Sequence, residues 1–522
     1  MVVQGHPGPQ IYSDPRQAYT TCADGLPPCP SRVASLAGRW LHERRLVALP
    51  CDKEPGFCLV PLPHQDAAHE EILSRSCYTE ILPTSVNIDL LYMTYCRLCR
   101  RVGDFLQDDA LASNMRNSLY TAGASHSARL ITTVKSTKGD GLVTQRNVHA
   151  SSRFAFAGAA YWVAGEIQER LDRLPHLLTS GRDFVNRLRQ FVFPCHATMT
   201  MIRIDLKEFF MSGRPEVLAR FALEIFNDRP VLKSVCADVV LFLLTHQLVS
   251  STHKPGRLWR VDAGSGMGLP HSGPIADAAL YGLAERSHAC QPCDYVHLYV
   301  RFRDDIFLLH SNRQLFRQWY STLQRLCFPT FTPEVVEVSQ HQVTMLDVDV
   351  TLDNCSFRFA PRQQANPGQP LSVSSAHPPG VHMWPLNRLR AIWHLCSDNT
   401  AFLEASERFI NRFRTHFAPR RLIEALHRDQ MRILRNGVPT IQPHIPNENV
   451  SRLVLEWHPA WRQDTRIKAF LAAHVRCPHA IAAFRSAYKD HRLPPRVQLV
   501  WRVSGRRLVH IVSNPAAAET WS

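Results

Sequence analysis

The sequence predicts an α+β protein, with a mixed core in its middle third and a helical, arginine-rich region after it. Three observations carry that expectation. Apolar residues alternate on both sides of the pair Asp304-Asp305: Leu298, Val300 and Phe302 before it, Ile306 and Leu308 after it. Residues 199–206 (Met-Thr-Met-Ile-Arg-Ile-Asp-Leu) read as a second strand, carrying Asp205. Helical periodicity fills the stretches between these strands and takes over again beyond residue 380, where Phe402, Phe409, Ile410, Phe413 and Phe417 fall on one face.

At 522 residues the chain is long enough for about three domains. Its composition, 45% apolar and 20% charged, is that of a globular protein. Sixty lysines and arginines against 45 aspartates and glutamates leave a formal charge of +15. That balance favours a polyanionic partner, nucleic acid or an anionic membrane surface. The membrane is disfavoured: the apolar runs at 239–244 and 154–165 are too short to span, and Met1 to Pro7 shows no signal-peptide pattern. Fifteen cysteines without a secretion signal read as reduced thiols. An intracellular location is expected, nuclear for a nucleic-acid protein.

Residues 1–65 are rich in Pro, Gly and Cys, with Cys22/Cys29 and Cys51/Cys58 spaced too widely for the usual zinc pairs. Helical spacing follows from about 66 to 130, as in Ile88, Leu91, Tyr92 and Tyr95. Cys96/Cys99 and His288/Cys290/Cys293 are each a zinc pattern without a second pair nearby, or else buried thiols. Residues 131–150 read as a basic hairpin, 155–195 as two helices and 214–250 as helical. Another helix begins near 275, a further one near 312–326, and strands are expected at 334–338 and 343–352. Prolines at 361, 367, 370, 378 and 379 mark a linker. Ser397 or Asp398 is placed to cap the helix that follows, and Pro419 to start the next.

Adjacent carboxylates at a hairpin tip repel each other and invite a counter-charge, most simply a divalent cation. A solvated turn uses the same residues. If the strand carrying Asp205 neighbours the hairpin, Asp205, Asp304 and Asp305 form a nest able to hold two Mg²⁺ ions ~3.5–4 Å apart, the arrangement for in-line phosphoryl transfer. The loop Asp262-Ala-Gly-Ser-Gly-Met-Gly-Leu-Pro-His-Ser-Gly-Pro274 lets backbone approach a flat ligand or a phosphate closely, although glycine loops before helices are common. Lys135, Lys138 and Arg146 line the basic hairpin and could grip a triphosphate or simply be solvated.

In this order, basic hairpin, strand aspartate, glycine loop and Asp-Asp hairpin, the segments resemble the palm of reverse transcriptases, most closely the Penelope-like retroelement group. Asp205 to Gly213, Gly264 to Gly273 and Arg301 to Asp305 are similar to its palm motifs. Lys135 to Lys138 resembles its fingers motif, Thr344-Met-Leu-Asp-Val348 its primer grip, and Ser375 to Pro379 through Trp384-Pro385 and Leu395-Cys396-Ser397 the start of its thumb. The resemblance runs from about 130 to about 510.

It implies a right-hand polymerase fold: an N-terminal extension at 1–120, fingers and an antiparallel palm at 121–355, and a helical thumb at 356–522. It implies an RNA-directed DNA polymerase that extends a primer 3′-hydroxyl with dNTPs, using Mg²⁺ with Mn²⁺ as a substitute. Its partners would be an RNA template and a DNA primer or RNA–DNA hybrid, with no membrane. Asp205 and Asp304 would be the main metal ligands, Asp305 a weaker third, and Leu206 a further metal contact. Lys135, Lys138, Arg146, Phe210, Gly268 and Ser272 would meet the nucleotide, and Met345, Leu346 and Asp347 the primer. Phe210, five residues after Asp205, stands where reverse transcriptases place an aromatic gate; a flat ring under the sugar leaves no room for a 2′-hydroxyl and offers it no hydrogen bond.

The departures are specific. The gate is Phe where the group commonly has Tyr, and the fingers motif reads Lys-Ser-Thr-Lys where the group usually has His third. No lysine lies between Asp305 and Asp347 to protonate pyrophosphate, leaving His310, Arg313 or Arg317 as substitutes. No GIY-YIG endonuclease motif follows the thumb region, so target cleavage is not implied. A catalytically silent nucleic-acid-binding remnant is the alternative in another class. A telomerase-like enzyme is a third reading, which would need an RNA-binding domain that 1–120 does not suggest. Arg388, Arg390, Arg408, Arg412, Arg414, Arg420 and Arg421 fit helices that track a duplex backbone, or solvated faces. Contacts to ~6–10 phosphates would make binding strongly salt-dependent.

Overall fold

The computed structural model describes residues 30–50, 52, 57–121, 123–135, 144–194, 198–251, 253–353, 355–362, 384–415, 420–438, 450–456 and 496–502. They fall into two units: 64–365 with 394–401, and the described parts of 1–63, 366–393 and 402–522. The central unit begins at residue 64, and residues 64–120 pack into it. Their Leu91, Tyr95, Cys99, Val102 and Met115 belong to its largest core.

The strands in chain order begin with β1 (Leu46–Pro50), β2 (Phe57–Pro61), β3 (Tyr78–Ile81), β4 (Ser127–Lys135) and β5 (Thr144–Ala150). Next come β6 (Thr200–Lys207), β7 (Leu248–Ser251), β8 (Leu258–Val261), β9 (Val296–Phe302), β10 (Asp305–His310) and β11 (Thr332–Ser339). The last are β12 (Gln342–Met345), β13 (Val348–Asp353), β14 (Ser356–Pro361), β15 (Val450–Glu456) and β16 (Arg496–Arg502). The central unit holds an antiparallel sheet of order β11-β6-β10-β9, a five-stranded sheet β3-β8-β7-β4-β5 and a three-stranded sheet β12-β13-β14.

The inner strands of the four-stranded sheet, β6 and β10, send buried side chains to both faces, whereas the edge strand β11 leaves Val335, Val336 and Val338 exposed. Ile202, Ile204, Leu206, Ile306 and Leu308 point to one core, shared with Ala160, Val163 and Ile167 of helix Ala157–Leu171 and with helices Pro230–Thr245 and Ser272–Leu280. Met201, Val300, Phe307 and Leu309 point to the other, with Phe184, Val185 and Leu188 of helix Gly181–Gln190 and Val343, Met345 and Val350 of the three-stranded sheet. Double burial explains why β10 reads Ile-Phe-Leu-Leu rather than alternating with polar residues. Each such side chain contributes roughly 1.5–3 kcal/mol, so the central strands form the most firmly held part of this sheet.

Four sequence expectations need correction. Helix is interrupted within 66–130 by β3, a four-residue strand too short to show a period, and gives way to β4 at Ser127. The 214–250 stretch is two α-helices started by Pro215 and Pro230, joined by a 3₁₀ turn, and the chain leaves the second helix for β7. Residues 343–352 form two strands rather than one: Leu346 and Asp347, at φ 49° and 59°, make a two-residue turn in which Met345 faces Val348. Positive φ at both positions is the type I′ pattern, normally written Asn-Gly, and Leu-Asp hides it. The helix expected near 275 begins at Ser272 and continues as a π-helix over Tyr281–Ala289.

Helix Asn399–Thr415, which lies in the second unit from Phe402 on, buries Phe402, Phe409, Ile410 and Phe413 as the spacing predicts, and helices Trp384–His394 and Arg420–Asn436 flank it in sequence; Phe417 and Pro419 lie outside the described residues. Asp398, not Ser397, caps the middle helix, its carboxylate accepting from the Ala401 N–H at 2.9 Å. Arg388, Arg408, Arg414, Arg420 and Arg421 are exposed, Arg390 and Arg412 half-buried. Among the described residues no helix is long and apolar enough to cross a membrane.

Candidate active site

The β9–β10 hairpin turns through Arg303 and Asp304, so that Phe302 faces Asp305. Arg303 takes the left-handed conformation, φ 56°. On the other side of β10, Asp305 lies directly opposite Asp205, and across β6 Asp205 lies opposite Glu334 of β11. Opposed residues share a face with Cβ atoms roughly 4.5–5.5 Å apart, so Glu334, Asp205 and Asp305 form a row of carboxylates across three strands. Asp304 adjoins the row at the turn, where its carbonyl accepts from the Leu206 N–H at 3.0 Å.

The nearby cations are committed. The Arg203 guanidinium donates to Asp305 at 3.2 Å and to the Thr344 carbonyl at 3.3 Å; Lys207 pairs with Glu334, and Arg303 with Asp277. Asp205 is half-buried, and its pKa is raised by burial first, then by Asp304 and Asp305, with Glu334 adding and Arg203 opposing. Among the described residues no group of three or more His, Cys, Asp or Glu side chains is placed to hold a metal ion. The donor set itself, hard carboxylate oxygens with mutual repulsion to relieve, fits Mg²⁺ or Mn²⁺. Leu206 is buried and has no side-chain donor, so only its peptide group could contribute.

A measurable consequence follows from the sign of the Asp205 shift. A carboxyl with a raised folded pKa holds its proton longer than in the unfolded chain, so stability is lost as pH rises from the unfolded value through the folded one. Asp205→Asn should therefore raise metal-free stability at neutral pH by about 0.5–2 kcal/mol. Mg²⁺ should raise the melting temperature of the parent protein and leave the variant unmoved. Cation affinity should fall on acidification above the ordinary aspartate pKa of about 3.9, because binding must displace the Asp205 proton. Thermal melts with and without Mg²⁺ across pH check all three.

Beside the row, Phe209 is buried against Phe331 at 5.2 Å between ring centroids, and Phe210 is half-buried. The glycine loop packs onto the backbone of this turn: Ser265 N–H donates to the Phe210 carbonyl at 2.6 Å, and Gly264 N–H to the Gly213 carbonyl at 2.7 Å. Gly264 has φ +73°, and a Cβ there would lie 2.3 Å from the Phe210 carbonyl oxygen. The Ser272 hydroxyl is buried, donating to the Gly266 carbonyl at 2.6 Å beside Ser265 Oγ. Gly268 is exposed.

Lys135 and Arg146 are half-buried on the paired strands β4 and β5; Lys138 lies outside the described residues. Met345 is buried, and Leu346 and Asp347 form the turn beyond it. His310 is at the wrong end of β10, five residues and roughly 16 Å from Asp305. It is buried and stacked on Phe316 at 4.8 Å, with burial lowering its pKa. Arg313 and Arg317 follow on the next helix. Zinc patterns do not close among the described residues: Cys99 is buried with its thiol pushed up to about 11 by burial, and His288 bonds the Trp319 carbonyl. Cys22, Cys29 and Cys51 lie outside the described residues.

Sequence reasoning missed two features. Glu334 sits in a strand expected from its valines, but nothing in the sequence gives the register that sets it beside Asp205. Behind the hairpin, the fully buried Arg301 guanidinium donates to Glu285 at 2.7 and 2.9 Å and to Asp277 at 2.6 Å. Tyr299 OH at 2.7 Å and the His176 ring at 3.1 Å also bond Glu285. Burial would raise the Glu285 pKa, but Arg301 outweighs it and holds the carboxyl below the usual range.

No family model and no curated protein matches the sequence. Among solved structures the chain is similar to telomerase from Candida albicans in complex with a fragment of telomeric RNA, at 10% identity and TM-score 0.48, over 73% of this chain and 62% of that one. It is also similar to apo telomerase from Candida tropicalis (12%, TM-score 0.35, 62% and 65%) and to the BmCPV RNA-dependent RNA polymerase (12%, TM-score 0.36, 67% and 32%). The chain thus spans less than two thirds of each of these structures.

Proposed function

We propose that the chain is an RNA-directed DNA polymerase of the Penelope-like retroelement kind, extending a primer 3′-hydroxyl with dNTPs. The observation that carries the reading is the register that sets Asp205 opposite Asp305, with Asp304 in the adjoining turn. Residues about 100 apart in sequence supply the acidic end of one sheet, the group that in-line phosphoryl transfer needs. Asp205, Asp304 and Asp305 would hold two Mg²⁺ ions, whose chemistry is to acidify the 3′-hydroxyl and to balance charge on the leaving pyrophosphate. Lys135, Lys138 and Arg146 are proposed to hold the triphosphate, Gly268 to let it approach the loop, and the Met345-Leu346-Asp347 turn to support the primer. The Phe210 ring is proposed to lie under the sugar.

Primer extension on an RNA template at low salt with Mg²⁺ tests the reading; an intact chain that incorporates neither dNTPs nor rNTPs there would refute it. The gate has its own expected outcome. Phe210→Ala should lower the preference for dNTP over rNTP by about a hundredfold, the scale on which an apolar pocket discriminates a single hydroxyl. Competition between the two nucleotide sets measures that ratio.

A further inference from the structure

Gln247 stands between helix Pro230–Thr245 and β7 and is 1% exposed. Its amide is fully employed: Nε2 donates to the carbonyls of Leu244 at 3.3 Å and Gly264 at 3.2 Å, and Oε1 accepts from the Gly266 N–H at 3.0 Å. Its own carbonyl accepts from Val261 N–H at 2.9 Å, which fixes the residue to the five-stranded sheet. One side chain therefore grips the glycine loop at two points, on either side of Ser265.

The gripped segment is the one fastened to the Phe210 turn. Ser265 N–H bonds the Phe210 carbonyl and Gly264 N–H the Gly213 carbonyl, at 2.6 and 2.7 Å. There is no slack between them: a Cβ on Gly264 would lie 2.3 Å from Phe210 O and 2.4 Å from Met211 Cα. Close-packed backbone transmits displacement rather than absorbing it. A shift of the loop must be a shift of the turn. The Phe210 ring is only half-buried, with Phe209 at 5.3 Å as a ring partner, so its backbone anchor governs where it sits.

We infer that Gln247 is a positioning residue for sugar selection: it sets, through Gly264 and Ser265, the place of the Phe210 ring. The inference rests on the reading of Phe210 as the surface under the sugar. Gln247, being buried, touches no substrate. Loss of its bonds leaves the Gly264 carbonyl and Gly266 N–H without their partner inside the fold, and the loop relaxes toward other donors and acceptors.

The test uses Gln247→Met, which keeps the volume and removes all three side-chain bonds. The ratio of kcat/KM for dNTP over rNTP should fall about tenfold. The control is Gln65→Met at another buried glutamine, bonded to Thr132 at 2.6 Å and 1% exposed; it should leave the ratio unchanged. Equal loss on both nucleotides in Gln247→Met would mean a merely structural role and overturn the inference. A second readout does not need activity: 4-fluorophenylalanine at position 210 reports the ring's surroundings by its ¹⁹F resonance. That resonance should move or broaden in Gln247→Met and stay put in Gln65→Met. An unmoved resonance in Gln247→Met overturns the coupling even if the chain copies nothing, whereas a parent protein without turnover sinks only the polymerase reading. If Gln247→Met does not fold, Gly264→Ala, which pushes on the same turn from the loop, must move the resonance.

Discussion

Asp304→Asn should lower primer extension on an RNA template by on the order of a thousandfold or more, with RNA–DNA hybrid binding within a few-fold of the parent. Removal of a single preorganised group that stabilises transition-state charge costs roughly 10²–10³, and a proposed metal ligand should cost at least as much. Binding survives because affinity for a hybrid rests on contacts to phosphates spread over the surface, and its salt dependence should be unchanged. Asp305→Asn should cost less, because Asp305 already shares its charge with Arg203 at 3.2 Å. The two effects are separated by single-turnover extension rates beside hybrid-binding titrations in varied salt. Equal rates in Asp304→Asn and the parent would remove Asp304 from the chemistry.

The second large effect is on stability. Arg301→Met should destabilise the protein by about 3–5 kcal/mol, because it strands Glu285 as an uncompensated buried charge. At roughly 2–4 °C per kcal/mol for a unit of this size, the melting temperature should fall by roughly 6–20 °C. The sign with pH is specific. In the parent the Glu285 pKa is held low by Arg301 against burial, so its contribution is present above the unfolded value and lost as pH falls. Without the arginine, burial alone acts and raises that pKa; the deficit of the variant should shrink on acidification, where Glu285 takes up a proton. Adding Glu285→Gln to Arg301→Met should recover much of the loss at neutral pH, because no stranded charge remains. Urea denaturation of the three proteins at two pH values checks the pattern. The Arg301 guanidinium also donates to the Arg303 carbonyl at 2.9 Å, next to Asp304, so activity should fall with stability.

What could be read from the sequence was what local periodicity carries. The apolar stretches flanking Asp304-Asp305 gave the hairpin, the 199–206 run gave β6, and the phenylalanines gave the buried face of the helix after Asp398. The pairing of β6 with β10 could be stated only as a condition, because register is a property of two strands and the sequence lists them separately. Glu334 was invisible for the same reason. The Arg301–Glu285–Asp277 network was missed because an arginine in a strand looks like a solvated residue until its partners on the helical segments behind the sheet are known. Turn chemistry failed at Leu346-Asp347, where Leu346 holds a left-handed backbone that its residue type disfavours, although Asp347 tolerates it.

The middle position of β6 has a consequence for how the chain is made. Both of its edges must be filled, by β10 and by β11, and these strands are synthesised about 100 and about 130 residues later. At roughly 5–20 residues per second a ribosome needs several seconds to some tens of seconds to deliver them. For that interval Met-Ile-Arg-Ile-Asp-Leu is an apolar segment with two unpaired edges, the kind of segment prone to pairing with the wrong strand. Asp205 and Arg203 interrupt that run with charge, which disfavours in-register parallel stacking on another copy, where like charges would face each other. The residue proposed to hold the metal would serve the nascent chain before it serves the enzyme.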